Sequence, residues 1–376
     1  MKKNCLIIAG EKSGEEHCLT FFNELKKLQP NTHFWGVGGD EMINKNFEAI
    51  YHLKDFSTMG FTEVFKKIFF YIKAFYKIVA EVKNRNCKTA ILIDFQGFNL
   101  RLAKKLSSLG VNVIYYVAPQ AWVWKSERVH SIRKYTHTLF SILPFEKKWF
   151  QERGVKNVLS VPHPICNRFE NKLSNLNTKL ELDQTREINL LVLPGSRNSE
   201  LKYLLNIYRE TLIDLKSKFN IKATLVKTSS VNPLHYTELE KLCDETTMNE
   251  DIESALKKAD IALAASGTVT LICGLFEVPT TVTYQGSLFN EFVFECLIKY
   301  KGFVSLTNII HGKELFPEYF LNRATPYNLS KSVGEWILNK EKYRYTKEEL
   351  RKTNEMLLQE DVNVSHYINN VINENE

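Results

Sequence analysis

At 376 residues, with 44% hydrophobic and 25% charged residues, the chain is long enough for two folded domains and is neither disordered nor low in complexity. A net charge of +7 favours an anionic partner, phosphate or acidic lipid. It is too small to argue for nucleic acid, and no RNP, zinc-finger or basic-helix pattern is present. The seven cysteines are scattered and form no CxxC pair, so they read as buried thiols of a reducing compartment.

Residues 5–9 read as a buried strand and 14–28 as a helix with Leu19, Phe22 and Leu25 inward. The first apolar run ends at Gly10 and Glu11, too early for a signal-peptide core. The loop Ala9-Gly10-Glu11-Lys12-Ser13-Gly14 lacks GxGxxG spacing, so no dinucleotide is expected. It is either a βα turn capped by Ser13 or a substrate loop at a strand end. Residues 33–37 form a strand leading into Gly38 and Gly39. That glycine turn, with Met42, and the run Met59-Gly60-Phe61-Thr62-Glu63-Val64 each read as a tight turn or as a site loop.

Residues 65–85 carry apolar side chains at 65, 68, 69, 72, 75, 76 and 79, one wide helical stripe. Lys66, Lys67, Lys73, Lys77 and Lys83 lie mostly off it. An ordinary amphipathic helix would place the stripe in the core. The excess of Phe and Tyr favours a helix lying on an acidic membrane surface, with Phe65, Phe69 and Phe70 inserted and Lys66, Lys67 and Lys73 on head groups.

Further strands are expected at 89–93, 111–117 and 138–143, with a helix over 100–109. Asp94 closes the first of these strands. A carboxylate there can take a proton from an attacking hydroxyl, or can cap the next helix. The loop 116–124 places Trp122 and Trp124 after a strand, with Arg128 and Arg133 beyond it. It is either a packed aromatic loop or a surface for sugar and acyl chains.

The polar stretch 167–186 reads as a linker. Strands at 188–193, 222–226, 261–264 and 280–284 then alternate with helices at 200–219, 236–244 and 268–276. The turn Leu193-Pro194-Gly195-Ser196-Arg197, with Glu200, joins a strand to a helix. Free N–H groups and the positive helix end suit a phosphate there, and Arg197 adds a charged fork. The other reading is a plain cap by Ser196 or Ser199, assisted by Glu200. The turn is not a P-loop. Ala265-Ser266-Gly267-Thr268 repeats the arrangement, and two such turns favour a nucleotide-sugar diphosphate. No DxD triplet or His/Cys cluster is present, so neither metal nor cofactor is expected. The longest uncharged stretch, 261–276, falls short of the roughly 20 residues a membrane span needs.

The expected class is α/β: two doubly wound Rossmann-like domains facing a cleft, with C-terminal helices. The domains are placed at 1–170 and 171–330. The helices at 331–376 return to the first domain or swap between subunits.

An ordered series of motifs resembles the bacterial lipid-A-disaccharide synthases. It comprises AGExSG at 9–14, GVGG at 36–39, MGFTEV at 59–64, ID with FN at 93–99 and YYVAPQAWVW at 115–124. LPFE at 143–146, HP at 163–164, LPGSRNSE at 193–200, ASGTVTL at 265–271, VSLTN at 304–308 and GKELFPEY at 312–319 complete it. The resemblance implies a metal-independent, inverting GT-B glycosyltransferase. It would join UDP-2,3-diacylglucosamine to 2,3-diacylglucosamine 1-phosphate through a β-1,6 bond and release UDP.

By that resemblance Gly195, Ser196, Arg197, Glu200, Ser266, Gly267 and Thr268 hold UDP. Ser13, Gly14, Asn99, Trp122 and Asn308 line the rest of the substrate site. The enzyme would be cytoplasmic and peripheral on the inner face of the inner membrane, and a homodimer is compatible with the family.

Four positions depart from the family pattern. Glu15 replaces Asp, Gln96-Gly97 replaces Pro-Asp, Pro162 replaces Gly and Ile272 replaces Glu. The proton acceptor is then expected among Asp94, Glu11 and Glu63. The other readings are a lipid- or nucleotide-binding paralogue without turnover, a GT-B enzyme for another acceptor, and a UDP-N-acetylglucosamine epimerase.

Overall fold

The uninterrupted apolar runs become strands because both faces of the sheets are covered, as parallel sheets require. The computed structural model describes residues 3–56, 64–123, 126–285 and 302–374, the side chains of 64–67, 199 and 200 excepted. The chain divides into two compact units, residues 1–168 with 357–376, and residues 169–356.

The first unit holds strands β1 (Asn4–Ala9), β2 (His33–Gly38), β3 (Glu48–His52), β4 (Thr89–Ile93), β5 (Asn112–Tyr116), β6 (Thr138–Ser141) and β7 (Val158–Ser160). They form one parallel sheet in the order β3-β2-β1-β4-β5-β6-β7. Side chains alternate between its two cores. Leu6, Ile8, Leu92 and Tyr115 pack with Ile78 and Leu102 on one face. Ile7, Ile91, Ile93 and Tyr116 pack with Phe22, Leu25 and Ile368 on the other. The final helix, Val364–Asn373, lies on Lys12–Leu28, where the Ser365 hydroxyl donates to the Phe21 carbonyl at 3.0 Å.

The second unit holds β8 (Ile188–Leu193), β9 (Ile221–Lys227), β10 (Glu245–Met248), β11 (Ile261–Ala265), β12 (Thr280–Tyr284) and β13 (Glu318–Phe320). This sheet is also parallel, in the order β10-β9-β8-β11-β12-β13. Leu190, Val192, Tyr208, Leu212, Leu263 and Trp336 form its core.

The C-terminal residues do not act as one block. Helices Pro326–Leu338 and Lys340–Leu350 belong to the second unit, where the buried Tyr343 hydroxyl donates to the Asp260 carbonyl at 3.0 Å. Only the last helix returns to the first unit. The polar stretch is anchored rather than loose. The buried Asp260 carboxylate accepts from Asn177 Nδ2 at 2.9 Å and from Lys179 Nζ at 2.8 Å.

In each sheet the strand order reverses once, between β1 and β4 and between β8 and β11. Ligands of open parallel sheets bind at the carboxyl ends of strands beside that reversal. The loops found there carry Glu11 and Asp94 in one unit, and Gly195–Arg197 and Ser266–Thr268 in the other.

Candidate active site

In the first unit the chain leaves β1 through Gly10, where an added Cβ would come within 3.0 Å of the Phe95 ring. The close approach ties the first loop to the Asp94 turn. Helix Lys12–Leu28 starts immediately. Glu11, not Ser13, is its N-cap residue, and it makes no side-chain capping bond. The Glu11 carboxylate is left exposed at the strand end. Ser13 is exposed in the first helical turn, whereas Gly14 is buried against Ala9. Lys12 bridges Glu15 at 3.0 Å and Glu41 at 2.6 Å. The buried Glu15 accepts the Met42 N–H at 3.1 Å, so the longer acid at this position pins the glycine turn.

Asp94 and Phe95 both sit in the left-handed region, at φ 46° and 44°. Two consecutive non-glycine residues there are costly unless the surroundings enforce them. Four bonds do so. Asp94 N–H donates to the Tyr116 carbonyl at 2.9 Å, and the Tyr115 hydroxyl donates to the Asp94 carbonyl at 2.8 Å. Asn99 Nδ2 donates to the carbonyls of Ile93 at 3.1 Å and Asp94 at 2.9 Å. Asn99 is therefore buried and clamps the turn through its amide nitrogen. Helix Gln96–Ser107 begins after the turn with Phe95 at its N-cap, so Asp94 does not cap it.

The turn opens onto a cavity of about 520 Å³. Glu11, Asp94 and Arg101 supply its charges, and Tyr71, Phe95 and Phe98 its rings. Gly97 also lines it, and a Cβ there would meet nothing within 4 Å. Burial, reinforced by the Glu11 charge, raises the Asp94 carboxyl from 3.8 to about 6. It is thus mostly ionised at neutral pH yet retains appreciable basicity, as a proton acceptor needs. Arg128 donates to Gln96 Oε1 and ties helix Arg128–Tyr135 to the same turn.

Glu63 lies outside the described residues, as does Trp124. Trp122 is half-buried, and its indole N–H donates to Glu146 Oε1 at 3.0 Å. Sequence reasoning assigned no role to Glu146, although LPFE stood among the motifs. Its complete burial could not be read from spacing. Tyr71 and Arg101 were missed for a different reason, because each occupies an unremarkable helical position.

In the second unit β8 ends at Leu193, and Gly195 turns the chain at φ 114°. Helix Asn198–Lys218 starts two residues before the position expected from its apolar spacing, because polar residues form its first turn. Arg197 is the N-cap residue, in extended conformation, and its own side chain makes no capping bond. The N-cap position thus falls on neither Ser196 nor Ser199, and the side chain of Ser199 is outside the described set. The loop after β9 buttresses the turn: the Ser230 hydroxyl donates to the Ser196 carbonyl at 2.9 Å, and Asn232 N–H to Asn198 Oδ1 at 3.2 Å. The side chain of Glu200 is outside the described set.

Beside this turn, β11 ends at Ala265, and Ser266 N–H donates to the Thr283 carbonyl at 2.7 Å. Gly267, at φ 154°, precedes helix Thr268–Leu275, again with no side-chain cap. Gly267 and Thr268 are exposed. Because β8 and β11 are paired, with Leu193 beside Ala264, the two helix N-termini stand next to each other. Helix N-termini and their dipoles favour an anion, and Arg197 is exposed at the same edge. Ile272 is buried in the helix and adds no polar group.

Asn308 does not face a ligand. It is fully buried, and both sides of its amide are used. Oδ1 accepts the N–H groups of Leu315 and Phe316 at 2.8 Å each. Nδ2 donates to the Phe316 carbonyl at 2.7 Å and to Glu318 at 2.9 Å. A saturated side chain of this kind shapes the 305–318 segment instead.

Helix Val64–Asn84 presents two apolar faces rather than one stripe. Ala74, Ile78, Val79 and Val82 are buried, with Phe70, Tyr71 and Phe75 packed beside them. Phe70 meets the rings of Tyr51 and Phe56 and is not available to a membrane. Ile68, Phe69, Ile72 and Tyr76 are exposed, Phe69 by 74%, next to the exposed Lys73 and Lys77. The side chains of Phe65, Lys66 and Lys67 are not described. Among the described residues no helix is long and apolar enough to cross a membrane.

Residues 5–372 match the family model described as lipid-A-disaccharide synthetase. A lipid-A-disaccharide synthase of Francisella philomiragia is 30% identical over 358 residues, 94% of each chain. One from Francisella tularensis subsp. novicida is 30% identical over 374 residues, 97% of this chain and 98% of its own.

Solved structures with a similar fold include MurG of Acinetobacter baumannii, at a TM-score of 0.58 and 10% identity, covering 99% of both chains. The calicheamicin glycosyltransferase CalG4 has a TM-score of 0.58 at 12% identity, covering 100% of this chain and 98% of its own. UDP-GlcNAc 2-epimerase of Neisseria meningitidis reaches 0.56 at 12%, over 99% and 100%. These likenesses establish a fold of two Rossmann-like domains, as in GT-B glycosyltransferases. The sequence matches favour the synthase over an epimerase, another acceptor or a paralogue without turnover. The chain belongs to the lipid-A-disaccharide synthetase family, hexosyltransferases of lipid A biosynthesis.

Proposed function

We propose that the chain transfers a diacylated glucosamine from UDP to the 6-hydroxyl of a diacylated glucosamine 1-phosphate. The acceptor oxygen attacks the anomeric carbon on the face opposite UDP. A new C–O bond forms as the bond to the β-phosphate breaks, which inverts the anomeric centre. The acceptor proton passes to a carboxylate, for which Asp94 is the best candidate and Glu11 its neighbour. UDP leaves with the extra negative charge. Arg197 and the helix starts at Gly195–Asn198 and Ser266–Thr268 stabilise that charge as it develops.

The observation that carries this reading is the pair of helix N-termini that follow the adjacent strands β8 and β11, with Arg197 at the first. Replacing Arg197 by Ala should weaken UDP affinity about 10- to 100-fold, the range for a hydrogen bond to a charged group. Isothermal titration with UDP checks it, and unchanged affinity would remove Arg197 from the site.

The exposed Ile68, Phe69, Ile72 and Tyr76, flanked by Lys73 and Lys77, support peripheral attachment to an anionic membrane. For acylated substrates this means the cytoplasmic face of the inner membrane.

A further inference from the structure

The loop after β5 is strained. Val117, a β-branched residue, sits at φ 70°, in the left-handed region such residues avoid. The loop adjoins the Asp94 turn, since Asp94 N–H donates to the Tyr116 carbonyl, and Ala118 N–H then donates to the Phe140 carbonyl at 2.9 Å. Further along, the loop is held through Trp122. Its N–H donates to Glu146 at 3.0 Å, and its ring stands edge-on to Phe145, with centroids 5.0 Å apart and planes at 81°.

Glu146 is 1% exposed, and among the described residues no cation neutralises it. Burial pushes its carboxyl up to about 7, against hydrogen bonds from Trp122 and from the N–H groups of Leu143 and Ile142. Burying a carboxyl to this depth costs stability. A glutamine oxygen could accept the same indole N–H, but its NH2 would then stand where Oε2 accepts the Leu143 N–H at 3.3 Å.

We propose that Glu146 is a positioning residue for acceptor binding, fixing Trp122 and its strained loop beside the Asp94 turn. The proposal rests on the glycosyl-transfer reading given above. Glu146 acts through Trp122 and does not touch the reacting atoms. The loop it holds leaves the carboxyl end of β5 next to the Asp94 turn, where the sugar or acyl part of the acceptor would meet it.

The test compares Glu146→Ala, Glu146→Gln and Trp122→Phe in the full chain, each checked by circular dichroism and melting. Steady-state UDP release is measured against each lipid substrate separately. Acrylamide quenching of Trp122 is taken as the difference between each protein and its Trp122→Phe counterpart. Glu146→Ala should raise KM for the acceptor about tenfold, as expected for one lost charge-assisted bond, leave KM for the UDP-sugar unchanged, and expose Trp122 to quencher. Glu146→Gln should restore both readouts to within about threefold of wild type, because its amide oxygen still accepts the indole proton. Trp122→Phe should raise the acceptor KM even where Glu146→Ala folds too poorly to assay. A folded Glu146→Ala protein with wild-type acceptor KM and unchanged quenching overturns the proposal, as does a wild-type acceptor KM in Trp122→Phe. If the wild-type chain released no UDP, the glycosyl-transfer reading would fail, whereas the quenching comparison would still decide whether Glu146 holds Trp122.

Discussion

Replacing Asp94 by Asn should sharply lower turnover and at the same time stabilise the protein above pH 6. Folding raises this carboxyl from 3.8 to about 6, mainly by burial and then by the Glu11 charge. The folded state therefore holds the proton more tightly than the unfolded state. The resulting stability is fully present below pH 3.8 and is lost as pH rises through about 6. At roughly 1.4 kcal/mol per pH unit, the wild type forgoes about 3 kcal/mol at pH 8 relative to acid. The neutral amide does not titrate and escapes that loss. It keeps an acceptor for the Phe95 N–H and fits the same space.

Urea unfolding at pH 8 should show the Asp94→Asn protein gaining up to about 3 kcal/mol over wild type, with the gain vanishing near pH 4. In parallel, kcat/KM should fall by about 100- to 10,000-fold, the usual worth of a general base. For the wild type, kcat/KM should climb tenfold per pH unit below about pH 6 and level above it. A stabilised variant with wild-type turnover would exclude Asp94 as the proton acceptor. A variant that loses activity but gains no stability would show that the carboxyl is not held in the raised state.

Gly97→Asp should be tolerated sterically, because a Cβ there meets nothing within 4 Å. A third carboxylate on the cavity should displace the acid limb of the pH–rate profile above 6, and an unmoved limb would show that another group titrates. Asn308→Ala should cost about 2–4 kcal/mol by urea unfolding, since its amide satisfies buried groups in the 305–318 segment. Unaltered stability with lost UDP binding would instead make Asn308 a ligand contact. Phe69→Asp combined with Ile72→Asp should cut co-sedimentation with acidic-lipid vesicles at least about tenfold without changing the melting temperature, as both side chains are exposed. Wild-type sedimentation would place the membrane contact elsewhere.

The central strands β1, β4, β5, β8 and β11 were legible because burial on both faces leaves continuous apolar runs. The edge strands β3, β10 and β13 were not, since they are short and half-exposed and carry no such run. Helix starts were misplaced wherever polar first turns, as at Lys12 and Asn198, lacked apolar spacing. The phosphate-type turns could be read from small residues between a strand and a helix. The clamping role of Asn308 was hidden because a motif residue that binds ligand and one that clamps a turn look alike in sequence. Only its buried and saturated amide separates the two cases. The double face of Val64–Asn84 was likewise hidden, because helical spacing alone does not say which apolar residues meet the sheet.

The most direct test is to incubate the wild-type chain with UDP-2,3-diacylglucosamine and 2,3-diacylglucosamine 1-phosphate in mixed micelles, following UDP release and product mass together. Stoichiometric UDP and a β-1,6-linked tetraacyl disaccharide 1-phosphate are expected, at a rate that rises through pH 6. UDP binding without disaccharide formation at any pH would contradict the account.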